Sequence, residues 1–510
     1  IKGNQMGFIA KIEKELDLSM HKSRFSRSKA ADPQYTIDDA ISDYSKFAVF
    51  ASKDVEEEYY SYIRRLYDRQ DRTATGLIYA VIEDIRSKVS DYRKSPDKVH
   101  YPLDILIFLI LITRVQGIVD CDEIADYYNL HYLELFVMVP GIPKYRGKIS
   151  VSTIQVAMSM LRPEQISRFF EENFTKIKIQ IEEQILYHKE KIATRPENIK
   201  DTLGFDGQEM KGTYRKGECK RKCKGGIVTQ LYNCTQRISL GFEISDKKNH
   251  ERDDILPILS RITIDGMVVM CDDLNAQAAV SNAVIKANGI YMFPLGKNGN
   301  KELLIHVEAI FNRQHKNVQI WESKKPTNKQ NKRDHGRYDS TKIEILPAEP
   351  YLDPRINIKH KNVRTLIKYI KCSRYYVNDE QIKETEDVTY YISSLAYAEE
   401  YTLQQVVASI EDYWQIETSH AVLDSPLLFH QDALQACLPT TIKNVAAFNK
   451  IGTAVLSYIR QRMSIKEGKK KPYSFKLIKS RCQNMGLESL LIYLYDYWFD
   501  RVEQTDSDEQ

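Results

Sequence analysis

Two short apolar runs, each ending on aspartate, constrain this chain more than any other feature. Leu203-Gly204-Phe205 leads into Asp206-Gly207, and Met267 to Cys271 ends at Asp272-Asp273. Runs this short and apolar predict buried strands. Gly226 to Cys234 and Arg237 to Ile244 are β-rich and meet at Thr235-Gln236, which predicts a hairpin. Arg252 to Ile262 and Ala276 to Ala287 carry helical patterns, and Ile290 to Leu295 is another buried strand. Strands first, then helix and strand in alternation, predict an α/β fold: a mixed sheet with helices on its faces.

The flanks read differently. Residues 1–95 predict charged helices, such as Val55 to Leu66 and Ala80 to Val89, with a basic linker at 21–29. Ser95-Pro96 opens a helical module, residues 96–195, with helices at Leu103 to Val115, Asp122 to Tyr128, Val151 to Met160 and Pro163 to His188. Residues 300–400 read as β-rich and basic, Thr402 to Leu423 and Thr440 to Arg462 as long helices. A tail, basic then acidic, follows over 463–510. A chain of 510 residues has room for about three domains.

Composition excludes several classes. With 42% hydrophobic and 28% charged residues, the chain is neither wholly disordered nor fibrous. Eight scattered cysteines make no disulfide scaffold and fit a reduced, cytoplasmic setting. The apolar run Ile105 to Ile112 is too short to span a bilayer and predicts a buried helix, so no membrane role is expected. No secretion signal is visible, and a first residue of Ile fits a trimmed chain. The net charge of +4 announces no nucleic-acid partner, so that argument falls to local clusters.

Three such clusters exist. Lys211 to Lys224 holds seven basic residues against one acid, and Arg313 to Lys342 nine against three. Arg460 to Arg481 holds nine against one, including Lys469, Lys470 and Lys471. Each suits phosphate neutralisation or is simply a solvated face; together they favour DNA or RNA. Cys219, Cys223, Cys234 and His250 lack the second compact pair of a zinc finger and read as ordinary thiols beside a histidine. Asp206, Asp272 and Glu417 form a candidate acidic set. Carboxylates gathered in one cleft repel unless cations sit between them, and hard oxygens suit Mg²⁺ or Mn²⁺. Taken alone, the aspartates read rather as turn or cap residues, and Glu417 as an exposed helical glutamate. His420 and Asp424 follow Glu417 by three and seven residues, which predicts a shared helix face.

A series of motifs adds to this. His100-Tyr-Pro-Leu-Asp-Ile-Leu106, Gly117, Asp122-Glu-Ile124, Pro140-Gly-Ile-Pro143 and Ser152-Thr153 are followed by Phe205-Asp-Gly207. Next come Lys247-Lys-Asn249 with Glu251 and Ile255-Leu-Pro257, Asp272 five residues before Gln277, and His335-Gly-Arg337. Tyr390-Tyr-Ile-Ser-Ser-Leu395 and Trp414-Gln-Ile-Glu417 with Val422-Leu-Asp424 complete the series. From about residue 96 to 462 the chain resembles the H-repeat-associated class of DDE insertion-sequence transposases. The resemblance implies a helical domain at 96–195 and a ribonuclease-H-like catalytic domain at 196–462, with a β-rich insertion before the last catalytic helix. It implies Asp206, Asp272 and Glu417 as catalytic ligands of two Mg²⁺ ions, Mn²⁺ substituting, for strand cleavage at transposon ends and transfer to target DNA. Lys211, Lys247, Asn249, His335, Arg337, Lys469, Lys470 and Lys471 are the expected DNA contacts. A homodimer on paired terminal inverted repeats, in a bacterial nucleoid, is implied likewise. The chain departs from the pattern at Gln208 (Lys expected), Glu411 (Arg expected), Asp339, Thr341 and Ala421. A domesticated, inactive DNA-binding relative and a structure-specific nuclease therefore stand as alternatives.

Overall fold

The computed structural model of the chain describes residues 35–499, except 69–71, 94–98, 175–200, 214–224, 236, 246–249, 298, 314, 316–317, 324–336, 353–358, 378–379, 397–402, 437 and 470–471. Helices come first: α1 Ile37–Ser45, α2 Lys53–Asp68, α3 Arg72–Lys88, α4 Leu103–Val115, α5 Cys121–Leu130, α6 Tyr132–Met138, α7 Val151–Met160 and α8 Pro163–Phe174. Local chemistry sets several of their starts. Thr36 and Asp39 exchange bonds in a capping box at α1, Ser150 caps α7 through the Thr153 N–H, and Pro163 opens α8. Every residue of α4 is buried, because its apolar circumference is packed between other helices rather than in lipid.

The sheet follows: β1 Thr202–Glu209, β2 Ile227–Asn233, β3 Ile238–Ser245, α9 Glu251–Arg261, β4 Val268–Met270, α10 Ala278–Lys286, β5 Ile290–Leu295 and α11 Lys301–Phe311. Next are β6 Gln319–Glu322, β7 Arg337–Pro347, β8 Thr365–Val377 and β9 Glu380–Ser393. The last helices are α12 Leu403–Tyr413, α13 Gln415–Asp424, α14 Pro439–Lys466, α15 Phe475–Asn484 and α16 Leu487–Phe499. Among the described residues one sheet runs in the order β3-β2-β1-β4-β5-β9-β8-β7-β6. β1, β2 and β3 form an antiparallel meander, while β4 and β5 run parallel to β1. This is the ribonuclease-H-like arrangement. β6 to β9 are the β-rich insertion, and they extend the same sheet antiparallel from β5.

Strand alternation divides the interior. In β4, Val269 enters the large core, whereas Val268 and Met270 enter a second core under α12 with Val406, Val407 and Ile410. The large core is continuous from Ile63, Ile82 and Ile107 through Phe448 and Ile451 of α14 to Leu203 and Phe205. Ile478, Cys482, Leu490 and Leu491 join it, so residues 475–499, expected as tail, form two helices packed on the core.

Three local expectations change. β1 does not end at Asp206: it continues to Glu209, paired with Ile227. The long helix expected over 402–423 is two helices, broken at Trp414. The helix expected to reach His188 is described to Phe174; its remainder lies outside the described residues.

Candidate active site

The middle of the sheet brings the two aspartates together. β1 and β4 pair in parallel with Gly204 opposite Met270. Carrying that register two residues onward sets Asp206 beside Asp272, just past the end of β4. Asp272 accepts the Asn275 N–H at 2.9 Å, which fixes the turn. The neighbouring Asp273 faces elsewhere. A Cβ on Gly296 would collide with its Oδ2, so its carboxylate fills the space that glycine leaves open.

Glu417 arrives from the other side of the chain. Gly204 has no side chain, and the Tyr413 ring lies against it: an added Cβ would sit 3.1 Å from Tyr413 Cδ2. The Cys234 thiol donates to the Tyr413 carbonyl at 3.7 Å. Ile416 is anchored in a small apolar cluster with Tyr232 and Cys234. These contacts press the break between α12 and α13 onto β1 and β2, and Glu417 follows in the first turn of α13.

Electrostatics ties these groups into one cleft. Burial pushes the Asp206 carboxyl up to about 7; the Gly207 N–H bond opposes this, while the charges of Asp272, Glu417 and Glu251 add to it. Burial likewise raises Asp272, with Asp273 and Glu251 contributing. Glu251 is a fourth carboxylate, one that figures in the sequence only as part of a motif. A Cβ at Gly207 would meet its Cγ at 2.5 Å, so Gly207 admits Glu251 over the strand instead of serving a turn. Tyr413 is a further neighbour of the acids that no motif marks; burial and the Asp206 charge push its phenol up. The donor chemistry fits a hard divalent cation. Yet among the described residues no group of three or more His, Cys, Asp or Glu converges closely enough to hold a metal ion.

Of the two residues expected on the Glu417 face, His420 reaches the cleft: its Nδ1 lies 3.8 Å from Asp206 Oδ2. Burial, then the Lys450 charge, lowers His420 to about 3, so the ring is neutral. Gln208, standing where the resemblance expects lysine, donates to the His420 carbonyl at 3.2 Å.

The expected DNA contacts are scattered. Lys211 sits in a single 3₁₀ turn after β1 and pairs with Asp432 at 2.5 Å. Arg337 opens β7 opposite Tyr375. That point is seven residues along β8 from Lys368, which is level with Tyr390 and hence with the end of β5. At ~3.4 Å per residue this is over 20 Å out along the ribbon. Lys469 lies past the far end of α14, its ammonium 5.5 Å from the Tyr473 ring centre. Lys247, Asn249, His335, Lys470 and Lys471 lie outside the described residues, as do Cys219 and Cys223.

No protein-family model matches the chain, and no curated protein matches it. Among solved structures the chain is similar to a piggyBac transposase in a synaptic complex with hairpin DNA, at 11% identity and a TM-score of 0.34. The match covers 84% of this chain and 81% of that one. Likeness at that score says nothing about activity. Among the described residues no helix is long and apolar enough to cross a membrane.

Proposed function

We propose that the chain is a DDE-type DNA transposase of the H-repeat-associated class, with Asp206, Asp272 and Glu417 as the catalytic acids. The observation that carries this reading is that three acids remote in sequence meet in one part-open cleft on a ribonuclease-H-like sheet. Asp206 comes from β1 and Asp272 from just past the end of its paired strand β4; Glu417 comes from the first turn of α13, its side chain exposed and its charge acting on Asp206. Like charges gathered in this way call for a counter-cation. The three acids would hold Mg²⁺, with Mn²⁺ as substitute, and Glu251 stands beside them. Bound there, two such ions would activate a water or 3′-hydroxyl and stabilise the leaving oxygen of an in-line phosphodiester displacement. The chain's own part is to bring the acids into one cleft against their mutual repulsion, where a bound cation would favour their ionised form. The neutral His420 ring stands beside Asp206 on its α13 side, Nδ1 3.8 Å from Oδ2. Basic side chains beyond the cleft, Lys211, Lys469 and Arg337 among them, would contact the backbone of terminal-repeat and target DNA, with a second copy completing a paired-end complex.

The test is cleavage and joining of DNA carrying the element's terminal inverted repeats in Mg²⁺ or Mn²⁺. Asp206→Asn, Asp272→Asn and Glu417→Gln are each expected to lose about a thousandfold or more in rate. Equal cutting by wild type and all three variants sinks the assignment.

One observation favours a second reading. Gln208 and Glu411 stand where the resemblance expects lysine and arginine, as befits a domesticated relative that binds DNA and no longer cuts it. Salt-sensitive DNA binding with no metal-dependent product supports that reading. Products that are cut but never joined indicate a nuclease instead.

A further inference from the structure

Helix α14 carries a lysine in the middle of its buried surface. Lys450 is 3% exposed, and its Nζ donates to Oε1 of the fully buried Gln230 at 2.6 Å. Gln230 is the direct cross-strand partner of Asp206, so the two side chains share one face of the sheet. Gln230 Nε2 donates onward to Ser419 Oγ at 3.4 Å, two residues beyond Glu417. Gln208, two residues along β1 from Asp206, holds the His420 carbonyl from the same face. Two glutamines on adjacent strands therefore grip α13 just after its acid.

The orientation of one grip depends on Lys450. Burial pulls Lys450 down to about 7, with the Asp424 charge opposing. In its protonated form it is a donor only, and so fixes the Gln230 amide with oxygen toward α14 and nitrogen toward Ser419. Nearby, Gln208 Oε1, His420 Nε2, Asp424 Oδ1 and Asn449 Oδ1 are buried without a protein hydrogen bond. Few bonds define this polar layer, so each one matters for its geometry. Taking an ammonium out of water is costly, and a methionine of similar length would fill the same space more cheaply. Stability therefore does not explain Lys450.

We propose that Lys450 is a positioning residue: it orients Gln230, and through Ser419 sets where α13 holds Glu417 relative to Asp206. The part concerning cations rests on the reading of Asp206, Asp272 and Glu417 given above.

The experiment uses the full chain as wild type, Lys450→Met, Ser419→Ala and Asp206→Asn. Amide hydrogen exchange is measured without metal, and Mn²⁺ affinity by calorimetry. Lys450→Met is expected to exchange about tenfold faster over residues 415–424, with the rest of the sheet unchanged, and to bind Mn²⁺ about tenfold more weakly. Ser419→Ala breaks the same link at its other end, is expected to shift both readouts in the same direction, and decides the matter if Lys450→Met does not fold. Unchanged exchange over α13 and unchanged Mn²⁺ affinity in the folded variants overturn the proposal. If Asp206→Asn binds Mn²⁺ as tightly as wild type, the cation reading fails and takes the cation part of the inference with it. The exchange data then still decide whether Lys450 holds α13.

Discussion

Asp206 is held in its place at a cost. Its folded value of about 7 lies above the ordinary 3.8. Between those values the folded chain keeps a proton that the unfolded chain has released. Stability therefore falls as pH rises through this window, and the full penalty is present above about pH 7. Asp206→Asn removes the charge and keeps the shape. Without divalent metal, the variant is expected to melt above wild type by about 3 °C at pH 8, with the gap narrowing toward pH 5. Mn²⁺ should raise the wild-type melting temperature and leave the variant nearly unmoved. Scanning calorimetry at both pH values checks this; a variant that melts at or below wild type at pH 8 removes the electrostatic argument.

Among the elements, the junctions matter more than the lengths. The break at Trp414 lets α12 cover the second core while α13 turns its acid to the sheet. A single helix through 402–423, as the sequence pattern suggests, would tie both tasks to one axis. The crossing of α14 over α4 depends on Gly452. A Cβ there would stand 2.9 Å from the Phe429 ring and 3.2 Å from the Arg114 carbonyl oxygen, and the backbone atom cannot easily yield. Gly452→Ala should therefore destabilise by about 1–3 kcal/mol in chemical denaturation, the range for overpacking. Gly486→Ala, where an added methyl meets nothing within 4 Å, is the control and should stay close to wild type. Equal effects at the two positions contradict the close crossing.

Across the whole molecule, α14 is the spine that joins the helical front to the sheet. Asn444 donates to the Met158 and Leu161 carbonyls at the end of α7, while Lys450 reaches β2. The basic clusters are less uniform than their composition. Arg460 is buried against the Phe475 ring and bonds the Tyr473 carbonyl, and Arg481 pairs with Glu467. Lys211 is committed to Asp432. DNA affinity should therefore depend unequally on these charges. Replacing Lys469, Lys470 and Lys471 together by alanine should make the plot of log affinity against log salt shallower by about 0.9 for each phosphate that is no longer neutralised, and Lys211→Ala should change it less. Fluorescence anisotropy over a salt series checks both; an identical slope in the triple variant shows that this cluster does not meet DNA.

Strand periodicity and apolar runs made β1 to β5 legible, because a strand buried on both faces leaves a nearly pure apolar signal. The same kind of run made α4 legible as a buried helix. Neither the role of Gly207 nor the nearness of Glu251 could be read this way, since each depends on which elements meet, and local pattern carries no record of that. Lys450 shows the division most clearly. In the sequence it is one lysine among many on a helix; only the packing of α14 against β2 and α13 strips it of water and gives it a single glutamine oxygen as partner. The amino-acid order determined which segments become strands and helices, because that follows from local periodicity. Tertiary packing alone decided which acids share a cleft and which cations are spent inside the protein, because distance and dielectric belong to the folded chain.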